Sequence, residues 1–228
     1  MPRPALASAA LLPAALLVPL ASAPGAAAAP TASVLQPCHA VAVLGGPDEP
    51  IEVALAGGDP GTTFRLLAAR PGRAAGSAGS TAGVYDADGD ATVRITRLRG
   101  LGTTPSPGRT VDLAVRDAGG TITPVAETLA APWTVDVAAS PARLGARRVV
   151  RASGTPFAGA RLSAFLVRAG STKVLRRVSL GTADDCGHVR RSVAILPRGL
   201  RPGSYRVWVG AGSKLRRSAA VHEALRVR

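Results

Sequence analysis

The chain has 228 residues, with 28 Lys and Arg against 14 Asp and Glu and a formal net charge of +14. This length accommodates one large domain or two domains of about 100 residues each. With two cysteines and three histidines, the composition excludes a Cys-rich zinc module and a disulfide-dense mini-protein.

Residues 1–29 have the pattern of a secretory signal peptide. Arg3 supplies a positive charge, Ala5–Leu20 is apolar, and a run of small residues follows that ends near Ala28. The apolar stretch is shorter than a membrane-spanning helix requires, and prolines interrupt it. We therefore predict cleavage near Ala28 or Ala29 and a secreted, extracellular protein, with association with the cell wall as a further expectation.

The remaining chain shows short alternating apolar runs and almost no helical periodicity. Such alternation indicates half-buried strands. The runs lie at 51–55, 92–96, 111–115, 189–195 and 205–209, with a nearly continuous apolar run at 162–167. Turn pairs such as Asp88-Gly89 and Pro202-Gly203 separate them. The pattern predicts an all-β fold, a sandwich or a barrel.

A weak internal repeat divides the mature chain into two halves. Val53–Gly57 resembles Val150–Gly154, and the Pro-Gly pairs at 107–108 and 202–203 each precede an alternating run. We therefore predict two tandem immunoglobulin-like or fibronectin-III-like sandwich domains, 30–131 and 132–228, that join near Pro132.

Charge is distributed unequally between these halves. Residues 30–131 carry ten acidic and eight basic side chains, whereas residues 132–228 carry four acidic and nineteen basic ones. A basic face of this kind attracts polyanions. If cross-strand neighbours bring the cations onto one sheet face, the candidate polyanion-binding residues are Arg168, Lys173, Arg176, Arg177, Arg190, Arg191, Arg206, Lys214, Arg216 and Arg217.

The second half carries a recognisable series of short motifs. Gly154-Thr155-Pro156-Phe157-Ala158-Gly159 precedes Phe165-Leu166-Val167-Arg168-Ala169-Gly170, and Cys186-Gly187 follows. About the last hundred residues resemble uncharacterised secreted immunoglobulin-like β-sandwich proteins of high-GC Gram-positive bacteria. The resemblance implies a sandwich fold and an envelope location, and it brings no enzymatic activity.

Other candidate sites are weaker. Asp86, Asp88 and Asp90 suggest a calcium loop, but Gly89 precedes the third aspartate and Arg97 occupies the twelfth position, so a tight hairpin is the better interpretation. His39, His188 and His222 lack zinc-ligand spacing and fit surface or strand-end positions. We expect no metal and no cofactor.

The two cysteines allow two interpretations. Cys38 and Cys186 lie in different halves of a chain predicted to be exported, so they form either an interdomain disulfide or two separate thiols.

The sequence thus favours a non-enzymatic, secreted binding or structural protein whose basic half associates with anionic cell-envelope material. A second interpretation is recognition of another envelope protein through strand edges or loops. A third, of a different class, is an exported hydrolase with a dispersed site. Few aromatic residues lie among the cations, which argues against dedicated nucleic-acid recognition.

Overall fold

The computed structural model describes residues 29–42, 49–100, 102–140 and 143–228. The predicted signal peptide lies outside these residues, except for Ala29. The described chain consists of strands and two short 3₁₀ helices, Thr155–Phe157 and Arg217–Ala219. The predicted all-β class is therefore confirmed.

The first half forms two antiparallel sheets. Its strands are β1 (Thr31–Val34), β2 (Cys38–Ala42), β3 (Ile51–Ala56), β4 (Thr63–Ala69), β5 (Gly79–Val84), β6 (Ala91–Ile95), β7 (Arg109–Arg116) and β8 (Ile122–Val137). One sheet has the order β1-β3-β6, and the other runs β5-β4-β7-β8. Strand β2 adds to β8 in the parallel direction.

The second half repeats this pairing order. Its strands are β9 (Arg148–Ser153), β10 (Arg161–Arg168), β11 (Val174–Thr182), β12 (Val189–Val193), β13 (Gly203–Ala211) and β14 (Ala220–Val227). One sheet runs through the end of β8, β9 and β12, and the other has the order β11-β10-β13-β14. The repeat seen in the sequence corresponds to β3 with β9 and to β7 with β13.

Each pair of sheets encloses its own hydrophobic core. In the first half, Val53 of β3 and Leu66 of β4 are fully buried in one cluster. In the second half, Val150 of β9 and Val207 of β13 share another cluster. Because each core draws on two facing sheets, the architecture is a β-sandwich. The hydroxyl of Tyr205 donates to the Arg201 carbonyl (2.6 Å), as in the tyrosine corner of immunoglobulin-like sandwiches.

Strand β8 belongs to both halves. It pairs with β7 up to Ala130 and with β9 from Thr134 onward. Pro132, which has no backbone N–H, occupies the changeover between these two ladders. Its carbonyl accepts a hydrogen bond from the Ser153 hydroxyl (2.5 Å). The predicted boundary at 131/132 therefore falls inside a continuous strand.

The halves are joined again beside β8. Cys38, the first residue of β2, forms a disulfide with Cys186 in the turn between β11 and β12, closing a sequence separation of 148 residues. Both cysteines are buried against Ala131. The Glu49 carboxylate accepts hydrogen bonds from the Ala40 amide (2.9 Å) and from the Thr155 hydroxyl, which lies in the second half.

His39, the second residue of β2, lies at this junction and is fully buried, so the surface position expected for it is wrong, whereas a position near a strand end is right. Its Nδ1 lies 3.1 Å from the Pro50 carbonyl. A carbonyl oxygen only accepts, so Nδ1 carries the proton. Burial lowers the pKa of His39 from its ordinary value of 6.5, and the nearby Glu49 carboxylate opposes this shift.

The disulfide gives the first prediction. The double variant Cys38→Ala/Cys186→Ala should lower the free energy of unfolding by up to about 5 kcal/mol, because a long loop is released in the unfolded chain. Urea denaturation of both proteins measures the difference. An unchanged midpoint would mean that the β8 ladders hold the halves together without help from the bridge.

The buried imidazole gives a pH prediction. The folded chain binds fewer protons at His39 than the unfolded chain, so the free energy of unfolding should decrease as pH falls below about 6.5. His188 and His222, whose pKa values burial also lowers, act in the same direction.

The variant His39→Asn retains a donor for the Pro50 carbonyl and does not titrate. It should lose less stability than the native chain between about pH 7.5 and about pH 5, as measured by urea denaturation. An equal loss in the two proteins would assign the pH dependence to the other histidines.

Candidate basic grooves

The outer face of the sheet β11-β10-β13-β14 carries an unusual row of side chains. Phe165 of β10 pairs with Arg177 on one side and with Trp208 on the other. Trp208 in turn pairs with His222 of β14, and the two rings lie 4.3 Å apart between centroids. Phe165 and Trp208 are both buried although they point away from the main core, so another segment must cover them.

The connection between β13 and β14 provides this cover. Leu215 packs against the cluster of Phe165 and Trp208. Arg217 lies over the Trp208 ring, 5.5 Å from its centroid, a distance that allows a cation–π interaction. The connection therefore folds back across the outer face of the sheet.

Two arginines fasten this connection to the neighbouring hairpin. Arg217 Nη2 donates to the Ser171 carbonyl (2.6 Å), in the turn between β10 and β11. Arg177 Nη1 donates to the Ser213 carbonyl (3.1 Å). Each guanidinium has five N–H donors, so both retain donors for a further ligand.

The connection helps to line two grooves. The first has a volume of about 490 Å³, and the side chains that line it include Phe165, Val174, Arg177, Lys214, Leu215 and Arg217. The second has a volume of about 380 Å³ and is lined by Gly210–Lys214, Arg216 and Ala219. Lys214 contributes to both. We call these two cavities the basic grooves.

Among the described residues, no carboxylate forms a close ion pair with these cations. The chain has no acidic residue at 137–183 or 186–222. Glu223 of β14 pairs in register with the core residue Val207 and accepts the Val137 amide, so its carboxylate lies on the core side of the sheet. Within the described residues, the close ion pairs are Arg94–Glu52, Arg151–Asp136 and His188–Asp184, all of them on other surfaces.

His222 reports the same electrostatic environment. Its pKa is lowered, first by burial beside Trp208 and second by the positive charge of Arg206. The ring is therefore neutral near pH 7, and the positive charge of this face comes from arginine and lysine alone.

The structure separates the ten predicted polyanion-binding residues, all of which are exposed. Four line the basic grooves: Arg177, Lys214, Arg216 and Arg217. Arg206 pairs with Val167 and so lies on the same outer face, and Lys173 lies in sequence between the groove residues Thr172 and Val174. Arg168 and Arg176 pair with the core-facing Tyr205 and Leu166, so they lie on the opposite side of the same sheet. Arg190 and Arg191 belong to β12, in the other sheet. The expectation that all ten share one sheet face is wrong.

The aspartate hairpin has the local structure expected of a turn. Asp86 Oδ1 accepts hydrogen bonds from the backbone amides of Asp88 (3.0 Å) and Asp90 (2.9 Å). In the turn that carries the disulfide, Asp184 Oδ1 accepts hydrogen bonds from the backbone amides of Cys186 and His188. Among the described residues, no cluster of three or more His, Cys, Asp or Glu side chains is placed to hold a metal ion.

The sequence patterns do not point to the residues that pack beneath and between these cations, above all Trp208 and Leu215. A signal was nevertheless present. Residues 173–177 read Lys-Val-Leu-Arg-Arg, and residues 214–217 read Lys-Leu-Arg-Arg. The same cationic and aliphatic sequence thus occurs in both segments that the structure brings together.

No protein-family model matches the chain, and no curated protein matches it. Similar solved structures include macromomycin, at 16% identity over 44% of this chain and 96% of that one, with a TM-score of 0.31. A tetra-tandem repeat from the extending region of a large adhesion protein is 11% identical over 86% of this chain and 47% of that one, with a TM-score of 0.29.

A third similar structure is the BSP domain of a biofilm-associated protein, at 12% identity over 84% of this chain and 29% of that one, with a TM-score of 0.28. The chain thus spans less than half the length of the latter two proteins. TM-scores of this size assign neither fold nor function, so the sandwich rests on the strand pairings and the two cores. Among the described residues, no helix is long and apolar enough to span a membrane.

The fastening of the β13–β14 connection gives the third prediction. Arg217→Gln removes the cation–π contact with Trp208 and weakens the bond to Ser171, a local cost of about 1–2 kcal/mol. Amide hydrogen exchange across 213–217 should accelerate by roughly tenfold or more. Arg216→Gln, which alters an exposed side chain on the same segment, is the matched control and should leave the exchange unchanged. Equal acceleration in both variants would contradict the fastening role of Arg217.

Proposed function

We propose that this chain is a secreted, non-enzymatic binding protein made of two tandem immunoglobulin-like sandwich domains. In this proposal, the basic second half, residues 132–228, associates electrostatically with anionic cell-envelope material. The observation that carries it is the pair of basic grooves, which are lined by four cations, Arg177, Lys214, Arg216 and Arg217, and by no carboxylate among the described residues.

The chemistry of the grooves suits an anionic polymer. Arginine forks bind phosphate and carboxylate groups through paired hydrogen bonds. Arg177 and Arg217 are already oriented by their bonds to backbone carbonyls, which lowers the entropic cost of binding. Because the two grooves share Lys214, one extended chain of anionic groups can contact both of them.

A second candidate function is recognition of another protein through strand edges of the first half. Strands β1 and β5 lie at sheet edges, and exposed aliphatic side chains follow or end them. These are Leu35, with 56% exposure, and Val84, with 57%. Edge strands with exposed apolar side chains are suited to pairing with a further strand. Such binding would depend little on salt.

Sedimentation with isolated Gram-positive cell walls over a salt series tests the main proposal. The full chain should bind at low salt, with log K falling linearly against log salt. In Arg206→Gln/Lys214→Gln/Arg216→Gln, the binding constant at low salt should decrease. The slope should become less negative by about 2, at roughly 0.7 per lost contact.

The matched control removes three exposed arginines from the first half, as Arg65→Gln/Arg97→Gln/Arg99→Gln. It changes the net charge by the same amount and should bind as the native chain does. If both triple variants bind equally, net charge rather than the grooves governs association. Binding that is independent of salt would favour recognition of a protein instead.

A further inference from the structure

The two cation-rich segments form one continuous surface. Residues 173–177 comprise Lys173 and the first four residues of β11, and residues 214–217 cross the outer face of the same sheet. The Arg217–Ser171 and Arg177–Ser213 hydrogen bonds hold the segments side by side. Apart from Arg176, which lies on the opposite side of the sheet, they bring five cations together with aliphatic side chains between them: Lys173, Arg177, Lys214, Arg216 and Arg217.

The aliphatic side chains of the first segment are exposed. Val174 is 38% exposed and Leu175 is 44% exposed. A register shift in the pairing of β10 with β11 couples Leu166 to Arg176 and Val167 to Val174, so Leu175 has no partner in β10. Such a bulge turns a side chain out of the regular pleat. Within the described part of the second half, these are the exposed large hydrophobic side chains.

Cations beside exposed aliphatic side chains favour one kind of anionic ligand over another. A soluble phosphate or carboxylate polymer contacts the cations and offers nothing to an exposed valine and leucine. An anionic bilayer satisfies both, because its headgroups attract lysine and arginine while its interfacial region buries aliphatic side chains. Leu215 of the second segment packs onto Phe165 and Trp208, which anchors that segment to the sheet.

We propose that residues 173–177 and 214–217 form a docking surface for an anionic lipid membrane, into which Val174 and Leu175 insert to the headgroup level. This inference rests on the proposed binding of anionic envelope material and names its physical form, a lipid surface. The attachment is peripheral and reversible.

Sedimentation of the full chain with two kinds of lipid vesicle tests the proposed docking surface. Vesicles of phosphatidylglycerol and phosphatidylcholine in equal parts should bind the chain, and vesicles of phosphatidylcholine alone should not. Lys173→Gln/Lys214→Gln should weaken binding about 25-fold, at about fivefold for each cation lost. Leu175→Ser should weaken it roughly tenfold through the lost apolar contact.

Matched controls lie in the first half. Ile122, which is 43% exposed, is replaced as Ile122→Ser, and Arg97→Gln/Arg99→Gln removes two exposed arginines. Both variants should bind anionic vesicles as the native chain does. Circular dichroism of each variant verifies that the sandwich is folded.

Binding of inorganic polyphosphate, a soluble polyanion, distinguishes docking on a lipid surface from the more general binding of anionic envelope material. Leu175→Ser should bind polyphosphate as the native chain does. If Leu175→Ser also leaves vesicle binding unchanged, the lipid surface is refuted, while anionic envelope binding stands. If the native chain binds neither vesicles nor polyphosphate nor cell walls, both are refuted.

Discussion

A single strand, β8, is the element on which the rest of the structure depends. It ends the β5-β4-β7-β8 sheet of the first half and begins the sheet with β9 and β12 in the second half, with no connecting segment between. Hydrogen-bond ladders on both parts fix the register of the strand. Rotation of one sandwich against the other would break one of these ladders, and the Cys38–Cys186 bridge and Glu49 lie beside the same strand.

The basic grooves depend on the packing of the second half. They are built on the outer face of a four-stranded sheet whose inner face is packed against the core of the second half. Cations gathered on one face repel one another, and this repulsion is opposed by bonds from Arg177 and Arg217 to backbone carbonyls and by the Trp208 ring. Within the part of the chain that the structure describes, the remaining guanidinium donors form no close ion pair with a carboxylate, as binding an external anion requires.

Local patterns in the sequence predicted local structure well. Alternation of apolar side chains identified the strands, because a half-buried strand needs one apolar face. The continuous apolar run at 162–167 became β10, whose two faces are covered by the core and by Leu215. The Asp86 hairpin also followed its sequence, since its carboxylate bonds amides two and four residues away.

Predictions failed where the answer depended on distant partners. Arg177 and Arg190 look alike in sequence, yet they lie on different sheets, because β11 pairs with β10 and β12 pairs with β9. His39 is fully buried in a short strand that pairs with β8, far away in the chain. No property of the neighbouring residues carries that information.

The sequence by itself determined the all-β class, the positions of the strands and the unequal charge of the two halves, since these follow from local periodicity and from composition. Only the tertiary structure decided which cations share a face, that β8 runs through the predicted boundary, and that Trp208 supports a surface rather than a core. Each of these depends on pairings between strands that are far apart along the chain, which the register of the backbone hydrogen bonds selects and which local sequence does not encode.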